Sequence, residues 1–198
     1  DKMIGSSAAW AAGYTGAGSR IAIIDTGADV DHPSLDPDAL KYALQGSNAT
    51  IMTEADLTDE VLNQLNAYTR KAGLTAADFY VNEKIPFGFN YVDADTDITH
   101  DNDTQGDHGS HVTGIAAGNR FVKDEAGNYV AALDSVMTQG VAPDAQILTM
   151  KVFGKRGGAY DSDYMVAIED AMVLGADAAN LSLGGSFPGY SEYTEEKY

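Results

Sequence analysis

The sequence predicts an α/β fold in three layers, a mostly parallel sheet with helices on both faces. Two observations predict it. The run Arg20-Ile21-Ala22-Ile23-Ile24-Asp25 is apolar from its second residue until its last and is followed by Thr26-Gly27. Such a run suits a strand covered on both faces of a parallel sheet, with its carboxylate at the C-terminal edge, where sites on these sheets gather. Farther along, Gln146 to Phe153, a helix beginning at Asp161 or Ser162, and Asp177 to Leu183 alternate strand, helix and strand in the manner of right-handed parallel crossovers. A length of 198 residues, 44% of them apolar, provides one sizeable core and falls short of two full domains.

The remaining elements follow in chain order. Ser6 or Ser7 is expected to cap a short helix through Trp10 and Ala12 that Gly13 ends, and the loop Gly13 to Gly18 feeds the first strand. Leu35 to Glu83 reads as a polar, helix-forming excursion from the domain. Within it Thr53 is placed to cap a helix carrying Leu57, Val61, Leu62 and Leu65 three and four apart. Phe87 to Val92 reads as a strand, Asp93 to Asp107 as an acidic loop, and His108 to Gly118 as a small-residue helix. Arg120 to Leu133, centred on Ala126-Gly127-Asn128, has the composition of a surface hairpin. In the helix from Asp161 or Ser162, Met165, Ile168 and Met172 are expected inward. There is no internal repeat, and the polar stretch Ser186 to Tyr198 stops without a cap or closing strand, as though cut inside a connection.

Composition narrows the chemistry. Zero cysteines exclude a disulfide framework, a thiol nucleophile and any cysteine-ligated metal, so catalysis must use oxygen or nitrogen groups. A formal charge of −18 repels phosphate backbones and anionic lipid, against nucleic-acid or membrane-surface partners. Its ordinary reading is solubility; selection of cationic substrates is the alternative. No stretch approaches the roughly 20 apolar residues of a membrane span. The chain begins at Asp1 without an initiator Met, which suggests a processed product or one trimmed for expression, so a missing leader says nothing about secretion.

Three strings in order, Ile21-Ala22-Ile23-Ile24-Asp25-Thr26-Gly27, His108-Gly109-Ser110-His111-Val112-Thr113-Gly114 and Asn180-Leu181-Ser182-Leu183-Gly184-Gly185, resemble the subtilisin-like serine peptidases. The resemblance is strongest from Trp10 to Asp31 and from Gly106 to Gly185, and implies a subtilisin-like three-layer fold. It makes His108 the general base and Asp25 the carboxylate that orients it. The residue types fit the chemistry: a serine hydroxyl is a poor nucleophile at neutral pH until an imidazole takes its proton, and the imidazole needs a carboxylate to fix its tautomer and stabilise its cation. His111, about one turn beyond, is expected to pack or hydrogen-bond beneath. Gly109 and Gly114 are read as letting the helix approach the sheet. The resemblance also implies two edge segments, Gly157-Gly158-Ala159 and Ser182-Leu183-Gly184, that clasp an extended polypeptide substrate by adding a strand on each side. Ordinary turns are the plain alternative for the glycines.

Lys84-Ile85-Pro86-Phe87-Gly88-Phe89-Asn90-Tyr91 and the acidic run before His108 are similar to lactocepin-like cell-envelope peptidases, which implies an extracellular or cell-envelope location in a Gram-positive bacterium. The pattern then breaks off. The family's oxyanion-hole asparagine and its Gly-Thr-Ser nucleophile segment are not found before Tyr198, and Ser182, Ser186 and Ser191 have no such setting. Losing the serine of such a triad costs roughly a million-fold in turnover, so the chain by itself is expected to be inactive. It is also expected to self-associate through sheet surface that a further portion would cover.

Three other readings compete. Ile24-Asp25-Thr26-Gly27-Ala28-Asp29 resembles the active-site string of retroviral-type aspartic peptidases, which an all-β fold would favour. A non-catalytic, peptide-binding module on the same scaffold is the second. Third, Asp93, Asp95, Asp97, Asp101 and Asp103 alternate like calcium-loop ligands, but neither set completes the EF-hand pattern, and a solvated loop is preferred. No metal residue and no cofactor are assigned; calcium stays open because many subtilases carry it. His108 and His111 are not read as zinc ligands. Asn48-Ala49-Thr50 and Asn102-Asp103-Thr104 match the short glycosylation sequon.

Overall fold

A computed structural model describes residues 3–101 and 103–184. Asn102 of the second sequon, Gly185 and the stretch from Ser186 to Tyr198 lie outside the described residues. Among the described residues, strand β1 (Arg20–Asp25) lies inside a four-stranded sheet. Its other strands are β2 (Phe87–Asn90), β5 (Gln146–Lys151) and β6 (Ala178–Asn180), in the order β2-β5-β1-β6. Every pairing in it is parallel. A separate antiparallel hairpin joins β3 (Phe121–Lys123) and β4 (Tyr129–Ala131), as the turn Ala126-Gly127-Asn128 foretells.

Strand alternation sorts β1 onto two cores. Ala22 and Ile24 face one side with Leu148, Met150, Phe87 and Phe89. Over that side lie Leu57, Leu62, Leu65, Ala67 and Phe79 from the excursion, and Ala167 and Ala171 from helix α8 (Asp161–Val173). Ile23 and Ile147 face the opposite side, against Leu35, Ile98 and Ala117, the last from helix α6 (His108–Ala117). The sheet thus has helices on both faces, the three-layer arrangement expected of a buried parallel sheet.

Several elements depart from expectation. The excursion holds no long helix after Thr53. Thr53 forms a capping box with Asp56 over a single 3₁₀ turn, and Thr58 caps again by accepting from the Val61 N–H. Three short helices follow: α3 (Asp59–Leu62) after Thr58, α4 (Asn66–Arg70) after Leu65 with no side-chain cap, and α5 (Ala76–Phe79) after a capping box of Thr75 with Asp78. Each new cap offers the backbone a fresh start, and the buried leucines come from separate turns. Helix α1 (Ser6–Ala11) is preceded by Gly5 as its N-cap instead of Ser6 or Ser7; helix α2 (Pro37–Ala43) is capped by Asp36. Helix α7 (Ala132–Ser135) follows β4 directly.

The inward face of α8 also differs from expectation. Met165 and Met172 are 52% and 68% exposed, Ile168 is only partly buried, and Asp163, Ala167, Asp170 and Ala171 are buried. Asp170 can face inward because four donors meet it: Asn66 N–H and Nδ2 on Oδ1 (2.7 and 2.9 Å), and Ala67 N–H and Tyr91 OH on Oδ2 (both 2.9 Å). A satisfied buried carboxylate overrides an apolar count. β6 is shorter than the expected Asp177 to Leu183, and its three residues are exposed.

Candidate active site

β1 ends at Asp25, whose side chain is fully buried. Its Oδ1 accepts from the Thr26 N–H at 2.7 Å and faces His108 Nδ1 at 2.8 Å. An ionised carboxylate can only accept, so the Nδ1–H donates and the lone pair of the neutral ring sits on Nε2. The ring is about half-exposed, at 52%, so an imidazole held on one edge by a buried acid presents its basic nitrogen on the open side. That is the geometry of a general base with its orienter.

The turn after β1 sets this distance. Thr26 Oγ1 accepts from the Gly109 N–H (2.8 Å) and donates to the Gly106 carbonyl (3.3 Å), pinning the first turn of α6 against the sheet edge. A methyl group on Gly109 would stand 2.2 Å from the Gly27 carbonyl oxygen. Gly27 has φ +107°, and a Cβ there would stand 2.2 Å from the Ile98 carbonyl oxygen. Only glycine permits both approaches. Gly114, expected to serve the same end, borders open space. His111, one turn along the helix, is exposed and not packed beneath His108.

The segments expected to clasp a peptide leave the same sheet edge. β5 and β6 flank β1 and run parallel to it, so Gly157, Gly158 and Ala159 follow on one side of Asp25 and Ser182, Leu183 and Gly184 on the other. Gly157 and Gly158 have φ +77° and +89°. A Cβ on Gly157 would meet Gln105 Nε2 at 2.5 Å and Thr104 Oγ1 at 2.8 Å, whereas one on Gly158 would meet nothing. The Gly157 contacts are with side-chain ends of the loop ahead of α6, and what both positions demand of glycine is the positive φ of their turn. Ser182 Oγ donates to Asn180 Oδ1 at 2.9 Å; Leu183 packs partly against the core, and Gly184 is exposed.

The acidic loop spends its carboxylates on itself and its neighbours. Asp93 Oδ2 accepts from Asn90 Nδ2 and the Lys155 N–H, both at 3.0 Å. Asp95 Oδ1 accepts from the Asp97 N–H at 3.1 Å, and Asp97 Oδ1 from the Thr99 hydroxyl at 2.7 Å. Among the described residues no group of three or more His, Asp or Glu side chains is placed to hold a metal ion, His108 and His111 included.

Sequence reasoning missed Thr26 as the node of this corner, and it missed Lys151 and Asp103. The Lys151 ammonium donates to the Thr26 carbonyl (2.6 Å) and pairs with Asp103, with side chains 1% and 2% exposed. A single lysine within Gln146 to Val152, a stretch otherwise free of charge, was the available signal.

The sequence profile of a known family matches residues 16–197, a span that holds β1 with Asp25 and α6 with His108. The chain belongs to the subtilase family. This subtilase is 35% identical over 178 residues to the PI-type proteinase of Lactococcus lactis subsp. cremoris, covering 86% of this chain and 8% of that protein. It is 30% identical over 188 residues to the minor extracellular protease Vpr of Bacillus subtilis, covering 92% and 16%. The C5a peptidase of Streptococcus pyogenes is 29% identical over 183 residues, covering 91% and 13%. The chain thus spans a small part of the length of these relatives. The subtilase assignment and the parallel α/β sheet overturn the retroviral-type aspartic reading, which needs an all-β fold. No helix among the described residues is long and apolar enough to cross a membrane.

Proposed function

We propose that the full-length protein is a serine endopeptidase that acts on polypeptides outside the bacterial cell, with His108 as base and then acid and Asp25 as its orienter. The observation that carries the reading is the 2.8 Å contact between His108 Nδ1 and a fully buried Asp25 carboxylate, in a chain of subtilase sequence. The extracellular location draws on the name of Vpr and on likeness to the proteinases above. In this reading the serine and the oxyanion-hole asparagine come from sequence beyond Tyr198. The 198-residue chain then lacks a nucleophile and is inactive by itself. Gly157-Gly158-Ala159 and Ser182-Leu183-Gly184 hold the substrate backbone, supported by their departure from the sheet on either side of Asp25.

We also propose that the chain by itself self-associates, because β6 is exposed along its length and Met165 and Met172 of α8, with Leu181 just after β6, are 52%, 68% and 39% exposed.

Fluorophosphonate labelling of the full-length protein, followed by peptide mapping, tests the catalytic reading. The expected result is one adduct on a serine beyond Tyr198, lost in His108→Ala. A folded full-length protein that takes no label overturns the peptidase reading in favour of a peptide-binding module.

A further inference from the structure

The Asp25 carboxylate uses only one of its oxygens. Oδ1 takes both Thr26 N–H and His108, whereas Oδ2 is buried and meets no donor among the described residues. Lys151 is the register partner of Asp25 on β5, so the two side chains stand on the same face of the sheet, on strands about 4.8 Å apart. The Lys151 side chain thus leaves its strand on the face that holds a carboxylate oxygen no donor meets. It turns elsewhere. Nζ donates to the Thr26 carbonyl at 2.6 Å and to Asp103 Oδ2 at 2.5 Å. The aliphatic stem runs under the Thr26-Gly27 turn, with Cδ 3.3 Å from where a Cβ on Gly27 would sit. Asp103 belongs to the loop that leads into His108. A buried ion pair is weak support for stability, because desolvation offsets its attraction, and this pair ties the Thr26 turn after Asp25 to the loop that leads into His108.

We propose that Asp103 and Lys151 are a positioning pair for Asp25 and His108: Asp103 draws the Lys151 ammonium onto the Thr26 carbonyl and away from the free oxygen of Asp25. The carboxylate is thereby reserved for the imidazole. The kinetic consequence rests on the peptidase reading; the placement does not. Other titratable groups at this corner are Asp107, immediately before His108, and His111 on the same helix. Asp29 donates its N–H to Ser110 Oγ (2.7 Å), and His100 Nδ1 faces that hydroxyl at 3.3 Å. None of these four hydrogen-bonds with Asp25 or Lys151.

The test is a double-mutant cycle on the full-length protein, with active sites counted by fluorophosphonate. In Asp103→Asn the ammonium loses its counter-charge and turns to Asp25, and its field opposes the imidazolium. The acid limb of the kcat/KM profile then moves down by about half a pH unit or more, and plateau kcat/KM falls about tenfold. Adding Lys151→Met removes the competitor and recovers most of both changes. A pair that serves only the fold gives the reverse ranking, with the double variant at least as impaired and the acid limb unmoved, and that result overturns the proposal. Carbethoxylation of His108 by diethyl pyrocarbonate against pH, read by peptide mapping, follows the imidazole without turnover. If no fluorophosphonate adduct forms, the peptidase reading fails, and this profile still decides the pair: displaced in Asp103→Asn and restored in the double variant, or unmoved in both. Should Asp103→Asn not fold, Asp103→Glu, which shifts the charge by one methylene, is read in the same way.

Discussion

At Gly109 a single methyl group separates a working corner from a broken one. With 2.2 Å available to the Gly27 carbonyl oxygen, Gly109→Ala forces the first turn of α6 off the sheet and stretches the His108–Asp25 contact. A cost of about 2 kcal/mol or more in unfolding free energy is expected, with loss of fluorophosphonate labelling. Gly114→Ala on the same helix meets open space and should stabilise by about 0.5–1 kcal/mol through helix propensity, with labelling unchanged. Denaturant unfolding of the two variants checks the contrast. Lys84 makes a different point. It is fully buried, with Nζ donating to the Pro143 and Ala145 carbonyls at 2.9 and 2.8 Å, and burial pulls its pKa down to about 7 despite the Asp144 carboxylate. Between about pH 7 and the ordinary lysine value the unfolded chain holds a proton that the folded one has released, so stability rises with pH across that window. Lys84→Met should remove that rise, seen as a shrinking advantage of the variant, or a growing deficit, from pH 7 to pH 9.5 in urea melts.

At the scale of elements, the excursion is bound to the domain by polar contacts as much as by its leucines. Asp170 of α8 receives its four donors from the start of α4 and from Tyr91 just after β2. Arg70 at the end of α4 pairs with Asp163 at 2.7 Å and donates to the Tyr91 and Ser162 carbonyls. Truncating the carboxylate strands several buried donors together. Asp170→Ala should cost about 2–4 kcal/mol in unfolding free energy, with faster amide exchange concentrated in α4 and α8, whereas Tyr91→Phe, which removes one donor, should cost about 1 kcal/mol. Equal small losses in both variants would show that packing alone holds the excursion. Sequence reasoning saw helix formers here and missed the network, because Asp170 meets its partners across about a hundred residues and no local pattern announces such a meeting.

For the whole molecule, charge and exposed apolar surface act against each other. The formal charge of −18 repels one copy of the chain from another, while the exposed β6 and the methionines of α8 favour contact. Screening weakens the repulsion beyond about 10 Å at 0.1 M salt and leaves apolar contact intact. Light scattering on the 198-residue chain should therefore show association that grows with sodium chloride. A monomer at every salt concentration, with a cooperative melt, would remove the self-association proposal.

The sequence by itself determined the class of fold, the strand that bears Asp25, the helix that opens with His108 and the family of both. These are local patterns, and an apolar run ending in Asp-Thr-Gly or a His-Gly opening to a small-residue helix carries its meaning within a few residues. Only the tertiary structure decided that Asp25 and His108 meet at 2.8 Å, that Gly109 is indispensable where Gly114 is not, that Met165 and Met172 face out while Asp170 faces in, and that Lys151 turns to Asp103 in place of Asp25. Each of these is settled by which donors, acceptors and van der Waals surfaces arrive from distant parts of the chain, and that arrival is a property of the packed molecule.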